Sequence, residues 1–349
     1  MGLITSPPFD ALHDLEIKFL CKKHALPEST VQDVAHLFFA LRMGVIGYSQ
    51  EVKKHLTTAL SFPTDVTKPV FNKSKLDSSF AVHSPDVKDA LESIAFGLSK
   101  TEAKKSVFFF IGHPGTGKTY GAEAIAESVG LPSCNINHVA GQNMGDLMGI
   151  LIRKIAQCMI DKSTLNPVMI LNDIDRAIME DQGIAASFLS LLDRQQKTIY
   201  NPFLGMDMDI SRLTFIMTGN SDFEGEAFAA LNGRIRGRVT FLPPSLESLK
   251  TVMKGGLDQY LKANPGLDLS SAELDGVIER MLIKDGTQEA DYRTFGLGLE
   301  SAVDKMAKEK SYKKAAIASR AEVQEEQCKV YPPFTHGFSK ATEERALNR

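Results

Sequence analysis

Apolar runs recur along the chain and predict the strands of a sheet. Residues 107–111 and 168–171 are wholly apolar, and residues 213–218 are nearly so. Short runs of this kind are typical of strands buried on both faces of a parallel sheet. Weaker patterns predict strands at 133–138 and 239–242 and an exposed hairpin or loop at 200–209. The alternation with helices predicts an α/β protein.

Apolar residues at helical spacing predict helices around these strands. The first helix has its apolar face formed by Phe9, Leu12, Leu15 and Phe19. The second opens on a capping box, because Ser29 is followed three residues later by Gln32. The spacing predicts further helices at 49–60, 84–98, 121–129, 147–159 and 184–193, with Ser84 as an N-cap.

Composition shifts divide the chain into five parts. They are an N-terminal helical region (1–60), a linker rich in Pro and Ser (61–83), an α/β domain (84–243), a small all-helical domain (244–315) and a charged helix with a disordered tail (316–349). The N-terminal helices are either a partner-binding module or a cap on the main domain, and the sequence favours neither.

Charge and cysteine content narrow the function classes. The 349 residues carry a net charge of −3, so no general attraction to nucleic acid or an anionic membrane is expected. The sequence shows no apolar run of membrane-spanning length and no signal peptide. The four scattered cysteines indicate a reduced, cytoplasmic setting, with Cys134 as a buried thiol.

The strongest chemical signal follows the strand at 107–111. Gly112, Gly117, Lys118 and Thr119 match the phosphate-binding loop pattern GxxxxGK[ST]. Glycines let consecutive N–H groups point at phosphate oxygens, and the helix that follows adds its positive end. A bare match can arise by chance, but here the strand and the helix are both predicted. The pattern predicts a nucleoside triphosphate site.

A second signal follows the strand at 168–171, which ends in Asn172 and Asp173. Polar groups at the carboxyl end of a parallel strand lie where such sheets hold ligands. A strand-end cap is the alternative interpretation. Beside a phosphate loop, this is where a magnesium-linked side chain and a water-activating carboxylate are needed.

Three arginines, Arg234, Arg236 and Arg238, lie within five residues. They form either a solvated basic turn, a cluster for nucleic-acid phosphates, or an arginine presented to the γ-phosphate in a neighbouring subunit.

Together these motifs resemble the AAA+ ATPases, and among them the ATPase module of the Lon protease and its relatives. The resemblance covers roughly residues 84–312 and includes 166–176 along the second strand motif, 191–196 and 200–211 before the third strand, and 231–235 at the arginine. It implies a P-loop core with a parallel sheet flanked by helices, and a helical lid.

The resemblance also implies residue roles. ATP and Mg²⁺ would be bound by Pro114, Gly115, Thr116, Gly117, Lys118, Thr119 and Tyr120. Asn172 and Asp173 would form the second nucleotide motif, and Asn220 would be sensor 1. Arg234 would be the arginine finger that acts in trans. Arg293 would be sensor 2, although Gly296-Leu297-Gly298 departs from the family's Gly-x-Arg. Met144 would stand in a pore loop that grips a polypeptide.

Two departures from the family matter. The second motif usually reads Asp-Glu, and Asn172-Asp173 removes one negative charge and shortens the second side chain. Rubisco activase has a similar Asn-Asp pair, which implies hydrolysis at a low rate. The sequence after the lid is also too short for a Lon-type peptidase domain.

The sequence therefore favours an ATP-hydrolysing remodeller of a protein partner, assembled as a ring, with a hexamer expected. A nucleotide-switched binding protein with little turnover is the alternative that Asn172 motivates. A nucleic-acid loader would use the three arginines, against the acidic charge balance. A small-molecule kinase would need neither the arginines nor the lid.

Overall fold

In the computed structural model, the predicted parallel sheet is present and confirms the α/β class. The structure describes residues 9–80, 83–100, 104–137, 144–180, 182–202 and 204–263, and helical positions 276, 278, 298, 301–306, 308 and 310.

The elements follow the predicted order. The helices are α1 (Phe9–Lys22), α2 (Glu28–Arg42), α3 (Gln50–Ser61), α4 (Lys73–Ser79), α5 (Pro85–Lys100), α6 (Lys118–Ser128), α7 (Met144–Asp161), α8 (Ile174–Glu180), α9 (Gln182–Leu192), α10 (Ala229–Asn232) and α11 (Leu246–Ala263). The strands are β1 (Ser106–Gly112), β2 (Ser133–Asn137), β3 (Val168–Asn172), β4 (Thr198–Asn201), β5 (Met206–Asp209), β6 (Thr214–Gly219) and β7 (Gly237–Phe241).

Five strands form the parallel sheet in the order β2-β3-β6-β1-β7, and β4 and β5 form a hairpin, one of the two predicted alternatives. The hairpin is not exposed as predicted, because Leu204, Met206 and Met208 are buried. Strand β1 lies between β6 and β7, with Ser106 opposite Thr214 and Gly112 opposite Phe241. The ends of β2, β3 and β6 therefore meet beside the loop that follows β1.

Alternate residues of each strand pack on opposite faces of the sheet. In β1, Phe108 and Phe110 join one buried cluster with helices α4, α5 and α6, whereas Val107 and Phe109 join a second cluster with α7 and α9. Because both faces are covered, both sets must be apolar, which is why the run carries no polar residue.

The N-terminal helices cap the main domain. Leu15, Phe19, Val34, Phe38 and Leu56 are buried in the same cluster as Val107 and Phe109 of β1. The sequence left open whether these helices bind a partner or cap the main domain, and the structure shows them packed on the main domain.

The predicted capping box of α2 is wrong. The helix begins at Glu28 after Pro27, and no side chain caps its first turn. Ser29 Oγ donates instead to Asp207 Oδ2 (2.7 Å), and Thr30 Oγ1 donates to the Asp207 carbonyl oxygen (2.9 Å). The two hydroxyls join α2 to the β4–β5 hairpin.

The segment predicted as a linker is anchored to the core at several points. Phe62, Leu76 and Phe80 are buried, and α4 forms part of the segment. Val70 N–H donates to the Val129 carbonyl oxygen at the end of α6. Prolines and serines suggested a linker, but the apolar residues between them anchor the segment to the core.

The prediction of reduced cysteines is wrong for one pair. Cys134 in β2 and Cys158 in α7 form a disulfide, and Cys21 is a free exposed thiol. The 24 residues between the two cysteines gave no paired spacing in the sequence, because β2 and α7 meet only in the fold.

Two compact units divide the chain: Met1–Thr251 with Glu289–Arg293, and Val252–Gln288 with Thr294–Arg349. The described positions beyond 263 are helical. The helical lid at 244–315 remains a prediction, and the tail at 316–349 lies outside the described residues. In the described part of the chain, no helix has the length and apolar character needed to cross a membrane.

Candidate functional site

The loop between β1 and α6 has the backbone that its glycines predict. Gly117 has φ of +91° and is the N-cap of α6, a left-handed conformation that favours glycine. At Gly112, a Cβ would lie 2.3 Å from the Phe241 carbonyl oxygen. The loop therefore needs glycine at both positions, one for conformation and one for space.

Lys118 points into this loop although its side chain is buried. Its Nζ donates to the carbonyl oxygens of Gly112 (2.7 Å) and His113 (2.8 Å) and to Asn220 Oδ1 (3.0 Å). The ammonium is thus held by oxygen acceptors on β1's loop and at the end of β6. Phosphate oxygens are acceptors of the same kind.

The other predicted loop residues surround Lys118. Thr116 is buried and its Oγ1 donates to the His113 carbonyl oxygen (2.9 Å). Pro114 and Gly115 form the outer turn, and Tyr120 is 52% exposed on the first turn of α6.

Thr119 and Asn172 are in direct contact. Thr119 Oγ1 donates to Asn172 Oδ1 (2.9 Å), and Asn172 Nδ2 donates to Asn137 Oδ1 (2.9 Å) at the end of β2. Thr218 Oγ1 at the end of β6 also lies 3.3 Å from Asn172 Oδ1. The sequence predicted Thr119 and Asn172 but missed Asn137 and Thr218, whose only signal was their position at strand ends.

These oxygens suit Mg²⁺ bound together with a triphosphate. Magnesium prefers oxygen ligands, and it takes few from the protein when phosphates and water supply the rest. Among the described residues, no group of three or more His, Cys, Asp and Glu is placed to hold a metal by itself. Thr119 and Asn172 therefore fit a shared magnesium site better than an all-protein one.

Asp173 has a left-handed backbone, with φ of +51°. Its N–H donates to Thr218 Oγ1 (3.1 Å), and its side chain is exposed at the mouth of the site. Aspartate tolerates this conformation better than most residues, at a cost in free energy that tends to occur at functional sites.

Asp175 is a site residue that the sequence analysis missed. It is buried, and its Oδ2 accepts from the N–H groups of Asn220 (2.8 Å) and Ser221 (3.1 Å). A Cβ at Gly219 would lie 2.9 Å from the Asp175 side chain, so only glycine lets the carboxylate approach. Asp175 thereby fixes the position of Asn220 beside Lys118.

Arg234 is far from this cluster. Its guanidinium donates to the carbonyl oxygens of Leu189 (2.8 Å) and Ala230 (2.8 Å) and to Asp193 Oδ2 (3.1 Å). The pKa of Asp193 is lowered, first by the hydrogen bond from Gln195 N–H and then by Arg234.

The other two arginines lie along the same stretch. Arg238 pairs with Asp222 (3.3 Å), and the backbone N–H of Arg236 donates to the Val107 carbonyl oxygen at the start of β1. Six steps along β1, from Ser106 to Gly112, give about 20 Å at about 3.3 Å each. Arg236, and Arg234 just before it, therefore stand at the opposite end of the strand from Lys118, whereas Arg238 lies opposite Phe109 in the middle of β1.

Arg293, the proposed sensor 2, lies outside the described residues. The prediction that Met144 lies in a loop is wrong for the backbone, because α7 begins at Met144 rather than at residue 147. The side chain of Met144 is not among those described.

A buried parallel sheet with a phosphate loop, and with polar residues at the ends of β3 and β6, defines a P-loop nucleotide-binding domain. Residues 108–241 match the ATPase family associated with various cellular activities (AAA). The chain thus carries an AAA+ ATPase domain, and this domain is related to the ATPase module of the Lon proteases.

The similar proteins share this domain at modest identity. The chain is 30% identical over 179 residues to "Lon protease homolog 2, peroxisomal" of Caenorhabditis elegans, covering 48% of this chain and 22% of the relative. It is 28% identical over 228 residues to "Lon protease" of Dictyoglomus thermophilum, covering 62% and 28%. It is 25% identical over 238 residues to "Lon protease homolog, mitochondrial" of Mus musculus, covering 65% and 24%. The matched part is therefore about a quarter of each relative's length.

Proposed function

We propose that the chain hydrolyses Mg-ATP at the subunit interfaces of a ring and uses the energy to remodel a protein partner. The observation that carries this proposal is the convergence of Lys118, Thr119, Asn172 and Asn220 at the carboxyl edge of the sheet. A phosphate loop, a magnesium-linked pair and a polar sensor are the parts that phosphoryl transfer to water needs.

Each side chain has a role that its position supports. Lys118 exchanges its carbonyl and amide acceptors for phosphate oxygens, and Thr119 supplies a hydroxyl to Mg²⁺, which would neutralise developing phosphate charge. With Mg²⁺ bound, the Asn172 amide oxygen would help to hold it through an intervening water. Asp173, exposed beside it, accepts a proton from the attacking water.

The site described so far lacks a second cation to stabilise the charge that develops on the γ-phosphate. Arg234 lies at the amino end of β1, a strand about 20 Å long whose other end leads into the phosphate loop. We therefore assign it to the γ-phosphate held by a neighbouring copy of the chain. To reach that phosphate, its guanidinium must leave Asp193 and the two carbonyl oxygens that now hold it. Arg236, whose side chain is exposed, is the alternative finger.

A protein partner is proposed from the related proteins, which are proteases by name. We assign Met144, at the start of α7, to the pore loop that grips a polypeptide. The cytoplasmic location remains a prediction, since the relatives include a peroxisomal and a mitochondrial protein.

The decisive experiment compares ATP turnover by the purified chain and by Lys118→Ala. Turnover should fall by at least about a hundredfold in the variant, because positioning and charge at the phosphates supply most of the catalysis. Lys154→Ala, an exposed lysine of α7, is the matched control and should keep full turnover. Equal turnover in wild type and Lys118→Ala would contradict the assignment.

The second candidate is a nucleotide-switched binding protein, which Asn172 favours because an amide lacks the charge of the usual aspartate. It predicts tight binding of ATP with no phosphate release above that of Lys118→Ala. Radiolabelled ATP distinguishes the two functions in one sample, because bound nucleotide and released phosphate are counted separately.

A further inference from the structure

A second concave site lies away from the nucleotide site and is lined by basic side chains. We call it the basic groove; its charged rim consists of Lys68, Lys100, Lys104, Arg194, Lys197 and Arg212. The cavity measures about 820 Å³. Lys104 precedes β1 and Arg212 precedes β6, so the groove lies at the amino edge of the sheet, opposite the phosphate loop.

The six cations are exposed and poorly compensated. In the part of the chain that the structure describes, none of them has a carboxylate within 4.0 Å. Lys100 lies over the ring of Phe96, and Arg194 donates to the Arg234 carbonyl oxygen. Because the whole chain has a net charge of −3, this local excess of positive charge departs from the rest of the molecule. Like charges that line one cavity repel unless an anion lies between them.

A buried cation lies at the floor of the groove. Lys105 is 5% exposed, and its Nζ donates to the carbonyl oxygens of Leu191 (3.2 Å), Asp193 (2.9 Å) and Gln196 (2.6 Å). Three carbonyl acceptors fix the ammonium, so its charge is held in place. The carboxylates of Asp193 and Asp209 act on Lys105 and offset part of that charge.

The wall that carries Lys68 is also fixed. Thr67 N–H donates to Asn166 Oδ1 (2.8 Å), and Asn166 Nδ2 donates to the Thr67 carbonyl oxygen (2.8 Å). Asn166 and Thr164 are both buried. A cation on an anchored backbone loses less freedom when a ligand binds, which favours affinity.

The lining selects among anions. No aromatic ring is among the described residues that line the groove, so they do not offer the stacking that holds single-stranded nucleic acid. The volume falls in the range of small-molecule sites rather than extended surfaces. Two arginines offer planar forks that match phosphate oxygens in pairs, and four lysines add point charges.

From this geometry we propose that the basic groove binds a compact small molecule that carries several phosphate groups. A single phosphate would reach only part of the rim, whereas several phosphates on one small framework would meet cations on opposite walls. This proposal does not depend on ATP turnover or on ring assembly.

The experiment titrates myo-inositol hexakisphosphate, as a probe, into the full chain by calorimetry without added magnesium. Lys118→Ala is used as the background so that the phosphate loop does not compete. The expected result is one molecule bound per chain with a micromolar Kd. The pair Lys104→Glu/Arg212→Glu should weaken binding by at least about tenfold, because it replaces two contacting cations by repelling anions.

The control pair is Lys154→Glu/Lys162→Glu, exposed lysines on and just beyond α7 that change the net charge equally. It should leave the Kd within about twofold. A milder pair, Lys68→Ala/Lys197→Ala, should also weaken binding and covers the case in which the charge reversal impairs folding. Circular dichroism of every variant verifies the fold.

Three outcomes overturn the proposal. They are absence of binding at millimolar probe, an equal loss of affinity in the groove and control pairs, and tighter binding of hexaglutamate or of a ten-nucleotide single strand than of the probe. The last result assigns the groove to an acidic peptide or to nucleic acid instead.

Discussion

At the residue scale, the amide of Asn172 shapes the chemistry of the site. Its oxygen accepts from Thr119 and its nitrogen donates to Asn137. An aspartate there would bring a full negative charge to the magnesium side of the site. The amide preserves the hydrogen bonds while giving up that charge.

Asn172→Asp should therefore lower the magnesium concentration that turnover requires. We expect half-maximal turnover at several-fold lower Mg²⁺, because a carboxylate binds this hard cation better than an amide oxygen does. Asn137 can turn its amide to donate to the new carboxylate. The measurement is ATP turnover against Mg²⁺ concentration; an unchanged midpoint would mean that residue 172 does not face the metal.

Lys105 makes a pH-dependent contribution to stability. Burial lowers its pKa to about 8, while the carboxylates of Asp193 and Asp209 oppose the shift. Below pH 8 both states hold the proton, and the cost of the buried charge is fully present. Between about 8 and 10.5 the unfolded chain still holds a proton that the folded chain has lost, so the unfolding free energy rises with pH.

The comparison is wild type against Lys105→Met by urea denaturation from pH 7.5 to 10. The difference in unfolding free energy, wild type minus variant, should rise over this range by up to about 3 kcal/mol. The variant lacks the hydrogen bonds of Lys105 at every pH, so only the slope tests the titration. Parallel curves would show that Lys105 stays charged throughout.

The limits of sequence reasoning show at individual residues of the site. Lys118, Thr119, Asn172 and Asn220 were predicted because each lies within a local motif. Asp175 was missed since its task, holding the N–H groups of Asn220 and Ser221, depends on two strands that are adjacent in space and about 45 residues apart. The spacing of residues along the chain does not show which strands become neighbours in the sheet.

At the element scale, the β4–β5 hairpin holds helix α2 on the core. Thr30 is fully buried and its Oγ1 donates to the Asp207 carbonyl oxygen, whereas the bond from Ser29 to Asp207 is exposed. The two bonds are neighbours in sequence but differ in burial. They therefore separate the effect of burial from that of hydrogen bonding.

Thr30→Val should lower the unfolding free energy by about 1–2 kcal/mol, because the Asp207 carbonyl loses a buried partner while the volume is conserved. Ser29→Ala should cost less than about 0.5 kcal/mol, since water replaces the exposed bond. Chemical denaturation of both variants measures the two changes in unfolding free energy. Equal losses would indicate that α2 is held by apolar packing alone.

The sequence predicted helices and strands correctly where hydrophobic periodicity determines them. It failed where contacts between distant parts of the chain determine the local structure. The strand at 107–111 follows from its unbroken apolar run. Ser84 directly precedes α5 as predicted, but its buried hydroxyl has no hydrogen-bond partner among the described residues, so the side chain does not cap the helix. The capping box at 29–32 fails because the Ser29 hydroxyl bonds to the hairpin instead. The segment at 61–83 is anchored because Leu76 and Phe80 reach the core despite polar neighbours.

At the scale of the whole molecule, β1 separates the two halves of the proposed catalytic site. Lys118 lies past one end of the strand and Arg234 beside the other. A chain without Lys118 still presents its arginine, and a chain without Arg234 still presents its loop.

Mixing Lys118→Ala chains with Arg234→Ala chains should therefore restore turnover that neither variant has alone. The junctions that join an intact loop to an intact arginine regain activity, to an order of a quarter of wild type if the chains mix at random. A mixture of Lys118→Ala with Lys118→Ala/Arg234→Ala is the control and should stay inactive. Failure of the first mixture, with co-assembly verified by mass, would falsify the trans assignment; Arg236→Ala tests the alternative finger in the same way.

The length of β1 also has a consequence for stoichiometry under the proposed arrangement. An open row of copies always leaves one loop without an arginine and one arginine without a loop, and a solitary chain has no competent junction. Only a closed circle gives every copy a working centre. Specific activity should thus climb steeply on concentrating the protein and level off once the circle closes.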